Sequence, residues 1–344
     1  MARSTVYNSI VTDERWEQVN KKNKELLKEF LDYLKSTDKA ELTILNYESD
    51  LKIIFTWALL EIDNKFFPQF SKRDIVKLQN YLLNDMNLSS SRVRRMKSTL
   101  SSLSNYIENV LDEEEEFKGF RNIINKIPHP AKNEVRDKTV MSDDDVDRLL
   151  KYLADNKEYQ KACAVALAVA SGARKAELLR FKMSFFKPEN IIFDSWYRTP
   201  EKIKTKGRSS RGKLIEKFVL ISKFQFYFDL WVKERNKLGI TNDALFVVKK
   251  NDEFVCANIS TLNSWAKSFS KILSLDFYWH SCRHYFTTFL SRANVPSEII
   301  KEIGGWDSIE MVSKYDDTEI TESLGKYFDA NGIKNVENKS LNEL

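Results

Sequence analysis

Apolar residues recur at three- and four-residue steps through most of the first 125 positions, the pattern of helices that bury one face. Leu27, Phe30, Leu31 and Leu34 make one such stripe across residues 22–36. A second follows Thr43 through Ile44, Tyr47, Leu51, Ile54 and Ala58, with Phe55 and Trp57 beside it. Ser71, with Asp74 three positions on, reads as a capping box that opens a third helix carrying Ile75, Leu78 and Leu82. A fourth starts near Ser90 and places Val93, Met96, Leu100, Leu103, Ile107 and Val110 on its inner face. Four helices with short connections predict a small bundle. The acidic run 112–116 closes it as a loop or frayed helix end.

Residues 127–140 break the pattern with two prolines, a histidine (His129) and mixed charge, and read as a linker. The domain boundary is therefore expected at about residue 135. Ser142 and Asp145 then form a second capping box. The second half is mixed, with helices expected at 143–156, 158–171, 175–182, 223–238, 258–272, 281–293, 296–303, 308–313 and 319–328. Strand-like stretches fall at 190–197, 203–206 and 214–221. The polar end, 331–344, reads as frayed or dependent on a partner. The fold class predicted is mainly α with a small antiparallel β-sheet in the second half.

Composition narrows this picture. Nine glycines and six prolines in 344 residues are about 4% of the chain, against a usual ~12%, which disfavours collagen-like, disordered and turn-dense all-β classes. The longest apolar run, Ala162–Ala170, is far short of the ~20 residues a membrane helix needs and reads as a buried core helix. The first residues show no signal-peptide core. Three scattered cysteines (Cys163, Cys256, Cys282) form no disulfide framework, so a reducing, cytosolic setting is expected. The net charge of +5 is uninformative by itself, but basic residues cluster. Arg92, Arg94, Arg95 and Lys97, with Ser98, Ser101 and Ser102, are expected on the outer face of the fourth helix, where they suit a phosphate backbone. The stretch 198–217 carries eight Lys/Arg and two Glu around a Gly207–Gly212 turn and reads as a basic hairpin, with Lys204, Arg208 and Arg211 candidates for DNA contact.

Three short motifs carry more specific chemistry: Ser171-Gly-Ala-Arg174-Lys-Ala-Glu177, His280-Ser-Cys-Arg283-His284, and Gly304-Gly-Trp306 followed nine residues later by Tyr315. Taken singly, each residue has an ordinary reading as an ion-paired arginine, a half-buried histidine or a packed ring. Together they assemble one reaction. Two guanidinium forks match the oxygens of a phosphate and neutralise charge developing on it. A phenol serves as covalent nucleophile, and a histidine or lysine moves the protons. No carboxylate cluster for Mg²⁺ and no phosphate-cradling glycine loop accompanies them, so the expectation is a cofactor-free transesterification through phosphotyrosine.

In these motifs, their order and their spacing, the chain resembles the tyrosine recombinases, or phage integrases. The resemblance extends over essentially the whole chain, although for the N-terminal helices it is one of pattern only. It implies a two-domain clamp on double-stranded DNA: a helical, SAM-like core-binding domain over 1–135 and a catalytic domain over 136–344. The implied roles follow residue by residue. Arg174 and Arg283 clamp the scissile phosphate, His280 binds it or assists proton transfer, and Tyr315 attacks phosphorus to give a 3′-phosphotyrosyl link. The hairpin lysine that protonates the leaving 5′-oxygen is Lys206, with Lys204 as runner-up. Trp306 stands where most members have a histidine, as in the Cre-like branch; its indole N–H donates a hydrogen bond but accepts no proton. Glu177 has a supporting role and His284 supports its helix. The resemblance further implies a homo-tetramer on two DNA sites, with the segment after Tyr315 (317–344, in particular 320–328) docking on a neighbour. The expected function is site-specific recombination of a phage or mobile element. The rival readings are a recombinase-fold transcriptional regulator without strand exchange and, less well matched in size, a type IB topoisomerase or telomere resolvase.

Overall fold

The computed structural model describes residues 6–131, 139–205 and 212–319, and beyond these only 321, 324–325, 328–329 and 332–333. Two compact units divide the chain after Asp137.

The first unit is helical: α1 (Val6–Ile10), α2 (Asp13–Gln18), α3 (Lys21–Ser36), α4 (Glu41–Glu61), α5 (Lys72–Asn80) and α6 (Ser90–Val110). The capping box at Ser71 and Asp74 is present, and α5 runs on through a π turn at Tyr81–Asp85. The short α1 and α2 precede the four helices expected; α2 is started by the Thr12 hydroxyl, which accepts from the Arg15 N–H. Helix α4 departs from a simple one-faced stripe, because every residue from Ile53 to Ala58 is buried, making it the central helix of the unit. At the far end of α6, Val110 is exposed rather than buried, since the helix stops there. Two 3₁₀ turns, Glu115–Phe117 and Ile124–Lys126, return Phe117 and Ile124 to the core.

The second unit opens with α7 (Asp143–Asp155), capped by Ser142 and Asp145 as expected. Helix α8 (Tyr159–Ser171) is its centre: Ala162–Ala170 is buried on all sides by α7, α10 and α12. After α9 (Lys175–Leu178) come short strands: β1 (Ile191–Ile192), β2 (Trp196–Arg198), β3 (Ile203–Thr205), β4 (Lys213–Ile215) and β5 (Phe218–Leu220). The expected strand 190–197 is in fact a hairpin, because Phe193 and Asp194 both adopt positive φ and turn the chain. Likewise 214–221 is two strands in two sheets: β4 pairs with β3, whereas β5 pairs with β2 in the antiparallel order β1-β2-β5. Then follow α10 (Ile221–Lys237), the hairpin β6 (Val247–Lys250) and β7 (Glu253–Cys256), α11 (Ile259–Leu273), α12 (Trp279–Arg292), α13 (Ser297–Gly304) and α14 (Glu310–Tyr315). The β6–β7 hairpin was not anticipated. At the chain's end β8 (Phe328–Asp329) pairs with β9 (Gly332–Ile333), so the helix expected over 319–328 does not reach Phe328; most of that segment lies outside the described residues. Among the described residues no helix is long and apolar enough to cross a membrane. The architecture is mainly helical with small antiparallel sheets, as the periodicity predicts.

Candidate active site

The site is built where two glycine reversals bring helices α8, α12 and α13 together with β3. Helix α8 ends at Gly172, whose φ of +56° is left-handed and whose missing Cβ leaves room for the Phe286 ring. The chain then turns so that Arg174 precedes α9, and Glu177, one turn on, folds back to it. One Glu177 oxygen accepts from the Arg174 backbone N–H at 3.0 Å, and the other from its Nη1 at 2.9 Å. The same Nη1 donates to the Thr205 hydroxyl of β3 at 2.8 Å, and that hydroxyl donates in turn to Glu177. Lys217, between β4 and β5, meets Glu177 at 2.9 Å with both side chains buried. Burial alone would raise the Glu177 carboxyl, but Lys217, the Thr205 hydroxyl and the Arg174 N–H pull it down to about 2.

Helix α12 supplies the second cation and the histidine. Arg283 is wholly buried; its Nη1 donates to the Gly172 carbonyl at 2.6 Å and its Nη2 to the Gly304 carbonyl at 2.7 Å. Its Nε has no hydrogen-bond partner among the described residues. Burial, reinforced by nearby Arg174, lowers its pKa to about 10, which still leaves it charged at neutral pH. The guanidinium lies 4.1 Å from the Trp306 ring and 5.5 Å from that of Tyr315.

The second reversal is Gly304-Gly305. A side chain on Gly304 would run into the Trp306 ring; Gly305 has φ +66° and abuts Ile215. Without these two glycines Trp306 does not reach its place, stacked on Tyr315 with ring centroids 5.2 Å apart. The indole Nε1 is buried and has no hydrogen-bond partner among the described residues. Tyr315 ends α14, and its hydroxyl lies 2.8 Å from His280 Nε2. Desolvation, with His284, Arg283 and Arg174 close by, lowers the His280 pKa to about 4, so at neutral pH its ring is uncharged and able to accept the phenol proton. Behind Tyr315, the Thr288 hydroxyl accepts from the Asp317 N–H at 2.9 Å, and Asp317 faces His284 Nδ1 at 3.4 Å.

Arg174, His280, Arg283, Trp306 and Tyr315 thus converge. The hairpin residues are another matter. Lys204 is exposed on the face of β3 opposite Thr205, and Lys206, Arg208 and Arg211 lie outside the described residues. Among the other basic residues, Lys97 requires a correction: it is buried rather than on an outer face, and its ammonium donates to Gln79 and to the carbonyls of Ile127 and Pro128. Arg92 and Arg95 remain partly exposed, but both pair with Asp50, which is fully buried in α4. Arg94 donates to the Pro130 carbonyl. Lys217, counted with the basic hairpin, is another buried cation, and Lys213 pairs with Asp307. Sequence reading missed the Lys217 connection because nothing in a run of charges marks the one that points inward.

Residues 139–321, more than half of the chain, match the phage integrase family. The SPbeta prophage-derived recombinase-like protein YomM of Bacillus subtilis is 31% identical over 71% of this chain and 70% of its own length. The chain belongs to the phage integrase family. A tyrosine recombinase of Thermosipho africanus is 25% identical over 83% of this chain and 92% of its own length. Two solved structures share the fold at low identity. XerH recombinase bound to a palindromic difH substrate covers 83% of this chain and 78% of its own, at 17% identity and a TM-score of 0.62. A lambda integrase dimer bound to a core site covers 86% and 98%, at 17% identity and a TM-score of 0.61. The chain is a tyrosine recombinase by family, an enzyme of site-specific recombination linked to phages and mobile elements.

Proposed function

We infer that this recombinase cuts and rejoins DNA with Tyr315 as nucleophile. The observation that carries this is the Tyr315 hydroxyl held 2.8 Å from an uncharged His280, near Arg174 and beside Arg283 Nε and Trp306 Nε1, which have no hydrogen-bond partner among the described residues. Tyr315 oxygen attacks the scissile phosphorus as its proton passes to His280 Nε2. The phosphorus–5′-oxygen bond breaks, leaving a 3′-phosphotyrosyl link and a 5′-hydroxyl. Arg174, Arg283 Nε and Trp306 Nε1 donate to the phosphate oxygens as charge grows on them. Because Trp306 only donates, any base role falls to His280, and its presence groups the chain with the Cre-like branch. The 5′-oxygen takes its proton from the hairpin lysine, which we assign to Lys206, the residue that follows β3, with Lys204 as the alternative. The bond energy stays in the phosphotyrosyl ester, and the reverse attack by a 5′-hydroxyl rejoins the strands.

The first unit serves as the core-binding domain, joined by 127–140, and the two units clamp duplex DNA. XerH and lambda integrase are described bound to DNA, and lambda integrase as a dimer on a core site and as a tetramer on a Holliday junction. The same assembly, four protomers on two sites with the segment after Tyr315 docking on a neighbour, is our reading for this chain. The test uses a nicked form of a duplex selected from a randomised pool by the full-length protein. Wild type should yield a protein–DNA adduct that survives denaturation, and Tyr315→Phe none at equal affinity. Tight binding with no wild-type adduct would mean a DNA-binding regulator and sink the assignment.

A further inference from the structure

Resting on that reading, we propose that Lys217 is a positioning residue of strand cleavage, holding Glu177 so that Glu177 holds the Arg174 guanidinium toward the phosphate. Lys217 has no solvent exposure, and its Nζ has no hydrogen-bond partner among the described residues besides the Glu177 ion pair at 2.9 Å. Its backbone is fixed on both sides by Thr199, whose hydroxyl accepts from the Lys217 N–H at 3.0 Å and whose N–H donates to the Lys217 carbonyl at 2.9 Å. A buried ammonium so placed is a rigid post. Glu177 is the hinge of the arrangement, with one oxygen on Lys217 and the Arg174 N–H and the other on Arg174 Nη1 and the Thr205 hydroxyl. Of these groups only Arg174 reaches the surface, with 27% of its side chain exposed. The chain of contacts therefore runs from a fixed interior charge to a partly exposed guanidinium placed to meet DNA.

The charge count gives this arrangement its reason. Three cations, Arg174, Lys217 and Arg283, surround a single carboxylate. Burial pushes Lys217 down to about 8, Glu177 opposes that, and Arg283 and Arg174 add to it. An apolar residue at 217 would satisfy packing at less electrostatic cost, as buried ion pairs often show. A second fixed cation instead balances Glu177 while Arg174 turns to an anionic phosphate. With Lys217 gone, the unbalanced carboxylate keeps Arg174 for itself.

The experiment compares adduct formation on the selected nicked duplex by wild type, Lys217→Gln, Lys217→Arg, Arg174→Ala and the double variant Arg174→Ala/Lys217→Gln, under single-turnover conditions with the protein saturating. Misplacement of a phosphate clamp by a fraction of an ångström to an ångström predicts a loss of about 100-fold in rate for Lys217→Gln, with DNA affinity within about twofold. Lys217→Arg should recover part of the rate, and Lys217→Gln should add nothing once Arg174 is absent. A merely structural lysine would give additive losses in the double variant. Wild-type rate in a folded Lys217→Gln protein overturns the proposal, as do additive losses. Failure of Lys217→Gln, and of Lys217→Met prepared beside it, to fold overturns it too, since the residue then serves stability. Absence of a wild-type adduct is a separate result and strikes the function reading instead.

Discussion

At the scale of single residues, the His280–Tyr315 pair makes the site sensitive to acid. The His280 pKa of about 4, below the usual 6.5, means that folding disfavours its protonated form. The sign follows from linkage: between 6.5 and 4 the unfolded chain binds more protons than the folded one, so stability is full above 6.5 and lost as pH falls through 4. His280→Gln removes this group from the titration. Melting curves between pH 7 and 4.5 should therefore show a smaller fall in Tm for His280→Gln than for wild type. Equal falls would mean that the ring is not held uncharged. Adduct formation by wild type should hold down to about pH 5 and fall away through about pH 4, because protonated Nε2 cannot take the phenol proton. Glu177 responds lower still, its contribution disappearing between about 4.5 and 2. The residues of this pair were legible in sequence through their motifs, whereas their shared hydrogen bond was not, since His280 and Tyr315 are 35 positions apart.

At the scale of elements, the turn Gly304-Gly305 shows how a short reversal sets chemistry. Gly305 and Gly239 share nearly the same left-handed φ, +66° and +64°, but only Gly305 abuts a neighbour, Ile215 on β4. Substitution by alanine costs each about 1–2 kcal/mol of left-handed strain. Gly305→Ala adds a collision worth a further ~1–3 kcal/mol. Denaturant titrations of the two variants should differ by that increment, and only Gly305→Ala should slow adduct formation by moving Trp306. Equal stability and equal rates would show that Ile215 yields freely. Elements with strong local signals were readable in advance: both Ser-to-Asp capping boxes are present, and Ala162–Ala170 is the buried helix its composition predicts. Among the strands, β3 lies where 203–206 was expected, but the split of 190–197 and of 214–221 and the β6–β7 pair were not readable, because such short strands are too short to show a period of two. The reversals at Phe193-Asp194 and Asn251-Asp252 depend on positive φ at residues that do not announce it. The N-terminus of α12 moved from 281 to Trp279 for a similar reason, as no side-chain cap marks it.

At the scale of the whole molecule, the 55 basic residues are not equally available to DNA. Lys97, Lys217 and Arg235 are buried, and each spends its charge or donors on the protein itself. The amphipathic pattern of α6 could not reveal this, because its buried sector is wider than a stripe and takes in Lys97 beside Met96 and Leu100. Burial and nearby Arg94 lower the Lys97 pKa, while the carbonyls of Ile127 and Pro128 accept from its ammonium. It therefore fastens the start of 127–140 to the first unit rather than a phosphate. Arg95, two positions earlier and 43% exposed, pairs with Asp50 on one side and keeps the rest of its fork at the surface. The two residues make opposite predictions. Replacing Arg95 by Gln should weaken DNA binding and reduce the slope of log affinity against log salt by about 1, the loss of one phosphate contact. Replacing Lys97 by Met should leave that slope unchanged and lower stability by about 1–3 kcal/mol, since two carbonyls and Gln79 lose their donor. Binding isotherms across a salt series, paired with denaturant melts, separate the outcomes. A slope reduced by Lys97→Met to the same extent as by Arg95→Gln would show that the ammonium leaves its carbonyls for DNA.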